Sequence, residues 1–369
     1  IYKNGFLGQK ETVSLDDLKQ FIKVSLSFID HSIQANQRPD KLYQSYNLMS
    51  IEKDSVVVSN LSEMLEGQVA VLSSGLLNAN ESLQILDALR NSALYRPDQN
   101  SYILYPNKEL PKFLEKNNIP KDRIEKSPLL TKLLAQSNTT IANRDVKGNY
   151  HFNGNFHNAS DVKVALEKLK NQAEYQGLVE NEFDSILQIF EDVFNHKAFT
   201  GRSGTFFAFE GLGSIYWHMV SKLHLAVLEV LNKAYKDQED AAVINALHVH
   251  FVEIGEGIGV HKTPEVYGAF PTDPYSHTPL HRGAQQPGMT GQVKEDILTR
   301  IGELGVKVKE GELTFQPNLL DKNQFLQQDE TVTFIDFSNQ PYKVNLEKGS
   351  LAFTVCQVPI IYKMGNSNE

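Results

Sequence analysis

A single cysteine, Cys356, stands in 369 residues. One thiol cannot close an internal disulfide, so the fold does not depend on oxidation and cysteine usage does not identify a compartment. No apolar run approaches the length of about 18 residues that a spanning helix needs, and the longest apolar stretches carry His, Lys or Glu inside them. Positive charge is also scarce. Lys and Arg total 36 against 45 Asp and Glu, a net charge of -9, and no basic block stands out. That removes the usual electrostatic footprint of nucleic-acid binding and of attachment to an anionic membrane. Several chemical signatures are missing as well. There is no GxxxxGK[ST], and no GxGxxG between strand and helix, so nucleotide binding has no support. GxSxG is lacking, which leaves a serine-hydrolase elbow unsupported. Without HExxH or a cysteine cluster, neither a metal nor another bound cofactor is expected.

What remains is ordinary globular composition, 41% hydrophobic and 22% charged, at a length suited to two or three domains. Apolar residues at helical spacing predict helices over about 14–36, 60–74, 79–92, 160–173, 182–195, 212–234, 239–254 and 291–304. Ser14 followed by Asp17 gives the first a capping-box-like start. The helix at about 212–234 is apolar nearly all round, which argues burial on every side. Residues 94–158 read as a long irregular excursion, rich in aromatics, Asn, Asp and His, residue types that suit stacking on sugars and hydrogen bonding to hydroxyls. After Gly305 the pattern switches to period two, so the chain should end in a small antiparallel sheet. The expected fold class is therefore mainly α. An (α/α)6-toroid-like helical body over 1–304 precedes a β-sandwich-like domain over 305–369.

Two stretches concentrate chemistry. The first, HKTPEVYGAFPTDPYSHTPLHRGAQQPGMTGQVKE, carries Tyr267, Asp273, His277, His281, Gln286, Thr290, Gly291 and Glu295. Thr290 and Gly291 open a helix, where free N–H groups and the dipole favour an anion; Thr290 reads equally as a plain N-cap. The second, GRSGTFFAFEGLGSIYWHM, sets Arg202 and Ser203 between glycines and Glu210 among aromatics that include Trp217. Arg suits bidentate recognition of phosphate. Desolvation against aromatic rings would raise the pKa of Glu210, as a general acid requires; the structural alternative is a helix cap paired with Arg202. His218 and His224 are six residues apart, off a common helix face, and read as interior histidines. His248 and His250 would share a face only in a strand. Of Glu63 and Glu66, one could enter a pocket or both could be solvated.

The segment GMTGQVKEDILTRIGELGVKVKEGELTFQPNLL, preceded by PEVYGAFPTDPYSH, resembles the end of the toroid in inverting disaccharide phosphorylases, the cellobiose and chitobiose phosphorylase group. The likeness covers about the last 170 residues. It implies that Thr290 and Gly291 contact phosphate. Gln292-Val293-Lys294-Glu295 departs from the aromatic residues usual after that Thr-Gly pair. About four helix pairs are visible where the family has six, and the family's catalytic Asp has no counterpart here. With Ile1 in first position, the expectation is that the polypeptide continues upstream and that the general acid lies there.

The function expected is inverting cleavage or phosphorolysis of a glycosidic bond in an oligosaccharide or polysaccharide. Inorganic phosphate is the co-substrate. Glu210, Asp273 and Glu295 are the candidate catalytic carboxylates. Arg202, Ser203, Tyr267, His277, His281, Gln286, Thr290, Gly291 and Trp217 are the candidate substrate contacts. In an inverting hydrolase the two carboxyls would stand about 6.5–9.5 Å apart. The alternatives are a polysaccharide lyase using Tyr150, His151, Asn153, Tyr267 and His277, and a non-catalytic sugar-binding fragment. A second copy, or an upstream part of the same polypeptide, is the expected protein partner. A bacterial cytoplasm is the expected setting, with the periplasm as the alternative.

Overall fold

A computed structural model describes residues 5, 8, 10, 12–107, 111–195, 215–258, 277–278 and 290–365. The chain divides into two compact units, Ile1–Gln292 and Val293–Glu369. About 48% of it is helical, which makes the fold mainly α, and its sheets are small and antiparallel.

The first unit opens with α1 (Leu15–Ala35). Ser14, with extended backbone, accepts a hydrogen bond from the Asp17 N–H at 3.0 Å, the expected cap. The apolar stripe of α1 is as periodic as its spacing predicts, yet no residue of the helix is buried. A hairpin follows, β1 (Asn47–Ile51) with β2 (Val56–Asn60), and every one of its residues is exposed. This corrects one expectation: Asn60 ends β2 instead of opening a helix. Three successive β-branched residues, Val56 to Val58, favour extended chain over helix. Helix α2 (Leu65–Leu72) starts five residues later than expected. Then come α3 (Ala79–Arg90), held by a capping box between Asn78 and Glu81, and the short hairpin of β3 (Tyr95–Arg96) and β4 (Ser101–Tyr102).

Residues 111–158, expected to be irregular, are folded. They form α4 (Phe113–Lys116), α5 (Lys121–Glu125), α6 (Pro128–Ala135) and a hairpin of β5 (Ala142–Arg144) with β6 (Tyr150–Phe152). With α7 (Ala159–Lys170) and α8 (Gln176–Phe194) they close one hydrophobic core that includes Leu129, Leu133, Phe152, Leu166, Ile186 and Phe190. Phe190 sits 5.0 Å from Phe152 and 4.7 Å from Phe194, ring to ring. One buried polar side chain here is matched on both sides. Asn117, 2% exposed, donates to the Phe152 carbonyl and accepts from its N–H, each at 2.9 Å. Helices of four and five residues are too short to show a 3.6-residue period, which explains why they read as loop.

The rest of the first unit is β7 (Ile215–Tyr216), α9 (Trp217–Lys236), α10 (Ala241–Gly257) and β8 (His277–Thr278). Helix α9 buries eleven of its 20 residues and packs on α2, α3 and α10. His248 and His250 thus lie on a helix, not on a strand.

The second unit takes in most of α11 (Thr290–Glu303) and six strands. These are β9 (Val306–Lys309), β10 (Glu312–Phe315), β11 (Glu330–Ile335), β12 (Pro341–Leu346), β13 (Ser350–Val355) and β14 (Val358–Lys363). They pair as three separate two-stranded hairpins rather than one sheet. Gly305 follows α11 at φ +69, and a Cβ there would stand 2.1 Å from the Gln316 carbonyl, so only glycine fits the step from helix to strand. Tyr362 donates to the Leu304 carbonyl at 2.6 Å and ties the last hairpin to that step.

Candidate functional site

In the first unit a polar cluster lies where β3, β4, α3 and α10 meet. Asn100, in left-handed conformation between the short strands, accepts from Arg90 at 3.1 Å and from the Tyr95 hydroxyl at 2.8 Å. The Arg90 guanidinium lies 4.2 Å above the Tyr95 ring and pairs with Glu253 of α10 at 3.4 Å. Tyr95 and Tyr102 stand 5.4 Å apart, and burial pushes the Tyr102 hydroxyl up to about 12, so it stays a hydrogen-bond donor at any physiological pH. Arg96, only 3% exposed, is matched by Asp98 at 2.9 Å. His250, 8% exposed, reaches Asp87 of α3 at 2.9 Å. A Cβ on Gly257 would come within 2.3 Å of the Asn100 carbonyl, so glycine at the end of α10 permits this close approach. Arg90 and Arg96 are both engaged by carboxylates. The cluster is therefore a framework that holds β4 to α10, and its cations are already matched.

Beside this framework, β4 runs next to β7, and β7 pairs antiparallel with β8: Ile215 opposite Thr278, Tyr216 opposite His277. The backbone at the mouth of the Trp217 helix is thereby joined to the Gly/His-rich stretch that leads to Thr290. Trp217 itself is fully buried. His218 faces the Tyr216 hydroxyl at 3.4 Å. His224 stacks on Phe251 at 4.1 Å, and burial lowers its pKa to about 4, so the ring is neutral.

A second polar feature lies on residues 111–195. A groove of about 450 Å³ is lined by Thr131, Asn138, Asn143, Arg144 and Tyr150 among others. Arg144 stands 5.7 Å over the Tyr150 ring. Close by, His151 is held between the Asp145 carboxylate, at 3.3 Å, and the Asn117 carbonyl. Desolvation opposes ionisation of Asp145, yet hydrogen bonds from Asn149, His151 and Lys147 hold its carboxyl at about 2.

The chain makes an excursion between β4 and β7, two strands that lie side by side. Most of its described residues fall within one family match. Residues 110–197 match the family model of GH149 phosphorylase insertion domain 2. No curated protein matches the chain. The match lies upstream of the segments that resemble the cellobiose and chitobiose phosphorylases, and it too is a likeness to a phosphorylase. The insertion domain has a core of its own, and the elements on either side of it, α2, α3, α9 and α10, pack with one another.

Arg202, Ser203, Glu210, Tyr267, Asp273, His281 and Gln286 lie outside the described residues. Thr290 and Gly291 begin α11, and His277 lies in β8, each described in backbone. Glu295 belongs to the second unit, where it is 4% exposed and 3.6 Å from Lys294. Glu63 accepts from Arg38 at 3.3 Å just before α2, and Glu66 lies in the first turn of that helix. Among the described residues no group of three His, Cys, Asp or Glu could hold a metal ion, and no helix is long and apolar enough to cross a membrane. Sequence reasoning missed the cluster of Arg90, Asn100, Tyr102 and Glu253. Its signal was the run YRPDQNSYILYP, which stood out by composition but offered no periodicity to place it.

Proposed function

We propose that this chain is part of a glycoside phosphorylase that cleaves a glycosidic bond with inorganic phosphate and inverts the anomeric centre. The observation that carries this reading is the phosphorylase insertion domain over residues 110–197, set between two adjacent strands of a helical body. We read that body as belonging to an α/α toroid.

Phosphate is already a nucleophile, so such a reaction needs one carboxylic acid to protonate the leaving oxygen and a site that grips an anion. Glu210 and Asp273 are the proposed acids in the first unit. Arg202, Ser203, His277 and the N–H groups at Thr290 and Gly291 are the proposed phosphate contacts. Tyr267, His281 and Gln286 would hold sugar hydroxyls. The Tyr216–His277 pairing supports this grouping, because it brings the backbone of one candidate stretch against that of the other.

Product analysis on β-linked gluco-oligosaccharides with and without phosphate tests the reading. An α-glycosyl phosphate formed only when phosphate is present is the expected result. Free sugar formed regardless of phosphate would make the protein a hydrolase. A new ultraviolet absorbance from an unsaturated uronate would make it a lyase. Within this reading Glu210→Gln lowers kcat on the order of 100-fold or more, and Thr290→Ala raises the KM for phosphate more than that for sugar. An effect of Glu210→Gln below about threefold removes it as the acid.

A further inference from the structure

The groove on residues 111–195 lies between helices α5 and α6 and the β5–β6 hairpin, and its volume of about 450 Å³ falls in the range of small-molecule sites. Part of its lining is apolar: Ile124 and Ala142 are buried and Leu134 is half-buried. Ser137, Thr139 and Asn143 also line it, and their side chains make no hydrogen bond among the described residues.

Charge in the lining comes from Glu125 and Arg144. Glu125 is paired with Lys121 at 3.5 Å. The next carboxylate along the hairpin, Asp145, is engaged by His151 and by the Lys147 and Asn149 N–H groups of its own turn. Arg144 has no carboxylate partner among the described residues, yet it is held in place. Its Nε donates to the Gly148 carbonyl at 3.4 Å, and its guanidinium stands 5.7 Å over the Tyr150 ring. Gly148, at φ +94, gives it room, since a Cβ there would stand 3.1 Å from Nη2. An exposed arginine usually loses rotamer freedom when it grips a ligand. This one is ordered beforehand, with both Nη groups uncommitted.

A planar pair of N–H donors matches two oxygens of one phosphate. Two hydroxyls and an amide suit the hydroxyls of a sugar ring, and the apolar lining suits its C–H faces. A neutral oligosaccharide fits less well, because it leaves the guanidinium without a counter-charge. We propose that this groove binds a sugar monophosphate, with Arg144 on the phosphate and Ser137, Thr139 and Asn143 on the hydroxyls. The site goes beyond the phosphorolysis proposed above, because none of the residues assigned to that reaction lines the groove.

Equilibrium dialysis of the full chain with radiolabelled hexose 1-phosphate and hexose 6-phosphate tests the proposal. At least one of the two should bind at a site that inorganic phosphate alone occupies more weakly. Arg144→Gln should weaken that site on the order of tenfold or more, with unchanged circular dichroism because Arg144 is exposed. Arg144→Lys keeps the charge without the fork and should weaken it about threefold. Thr139→Val should also weaken it about threefold. Thr290→Ala should leave it unchanged, which separates it from the phosphate contacts proposed for the reaction. Arg144-dependent binding in a protein that proves to be a hydrolase would uphold the groove site even as the phosphorolysis reading failed. Failure of both sugar phosphates to bind, binding that survives Arg144→Gln and Thr139→Val, or binding lost only in Thr290→Ala would each overturn the proposal. So would a neutral gluco-oligosaccharide, or inorganic phosphate, that fills the Arg144-dependent site as tightly as the sugar phosphate.

Discussion

Phe190 and Phe28 are both helical phenylalanines; the first is fully buried in the insertion domain and the second is 69% exposed on α1. Their helices have similar amphipathic patterns, so pattern alone does not separate them. The difference is topological. In the insertion domain, α7 and α8 return against each other and close over α6 and the β5–β6 hairpin within fewer than 90 residues. Among the described residues α1 has no such neighbour, and the hairpin after it is exposed on both faces. By its register, Met49, Ile51, Val56 and Val58 share one face and are 59–78% exposed. An apolar stripe states that a surface wants covering; it does not state from where.

The largest expected effect follows from that contrast. Phe190→Ala should cost about 3–5 kcal/mol of unfolding free energy, because it opens a cavity among Phe152, Phe194 and their neighbours. Phe28→Ala should stay within about 0.5 kcal/mol when measured on the monomer. Urea denaturation of both variants checks this, and equal losses would mean that α1 is covered after all.

The α9–α10 pair sharpens the comparison through pH. Burial holds His224 at about 4 in the folded protein, whereas its ordinary value is 6.5, so the unfolded chain binds the extra proton below that value. Stability from this group is complete above about pH 6.5 and is lost as pH falls toward 4. By pH 5 the loss should reach about 2 kcal/mol. Urea midpoints measured across that window should slope downward, and His224→Leu should remove this part of the slope. The smallest effect belongs to the insertion domain's surface. Arg123 and Asp192 pair at 2.6 Å but are both exposed, so Asp192→Asn should cost less than about 0.5 kcal/mol in the same assay.

Much of the helical skeleton was legible because long periodic segments announce themselves. Ser14 with its stripe marked α1 to within a residue, and the apolar run after Trp217 marked the helix that the body packs around. Failures came where elements are short or where β-branched residues compete with a helical reading, as at Val56 to Val58. The insertion domain was hidden for the first reason, since α4 and α5 together span nine residues in two pieces. The candidate site was legible as chemistry rather than as geometry. Glycine, proline and histidine singled out the two stretches, but nothing in their order showed that Tyr216 and His277 would pair. The Arg90 cluster was invisible because its members come from segments more than 150 residues apart in the case of Glu253.

The neighbouring positions of β4 and β7 have one further consequence. The polypeptide departs after Tyr102 and comes back at Ile215 almost where it left, so a module of this kind can be gained, lost or exchanged with little disturbance to the helices on either side. Trimming the excursion to a short linker should leave the remaining framework foldable, and the excised piece, with its own interior, should behave as a transplantable cassette.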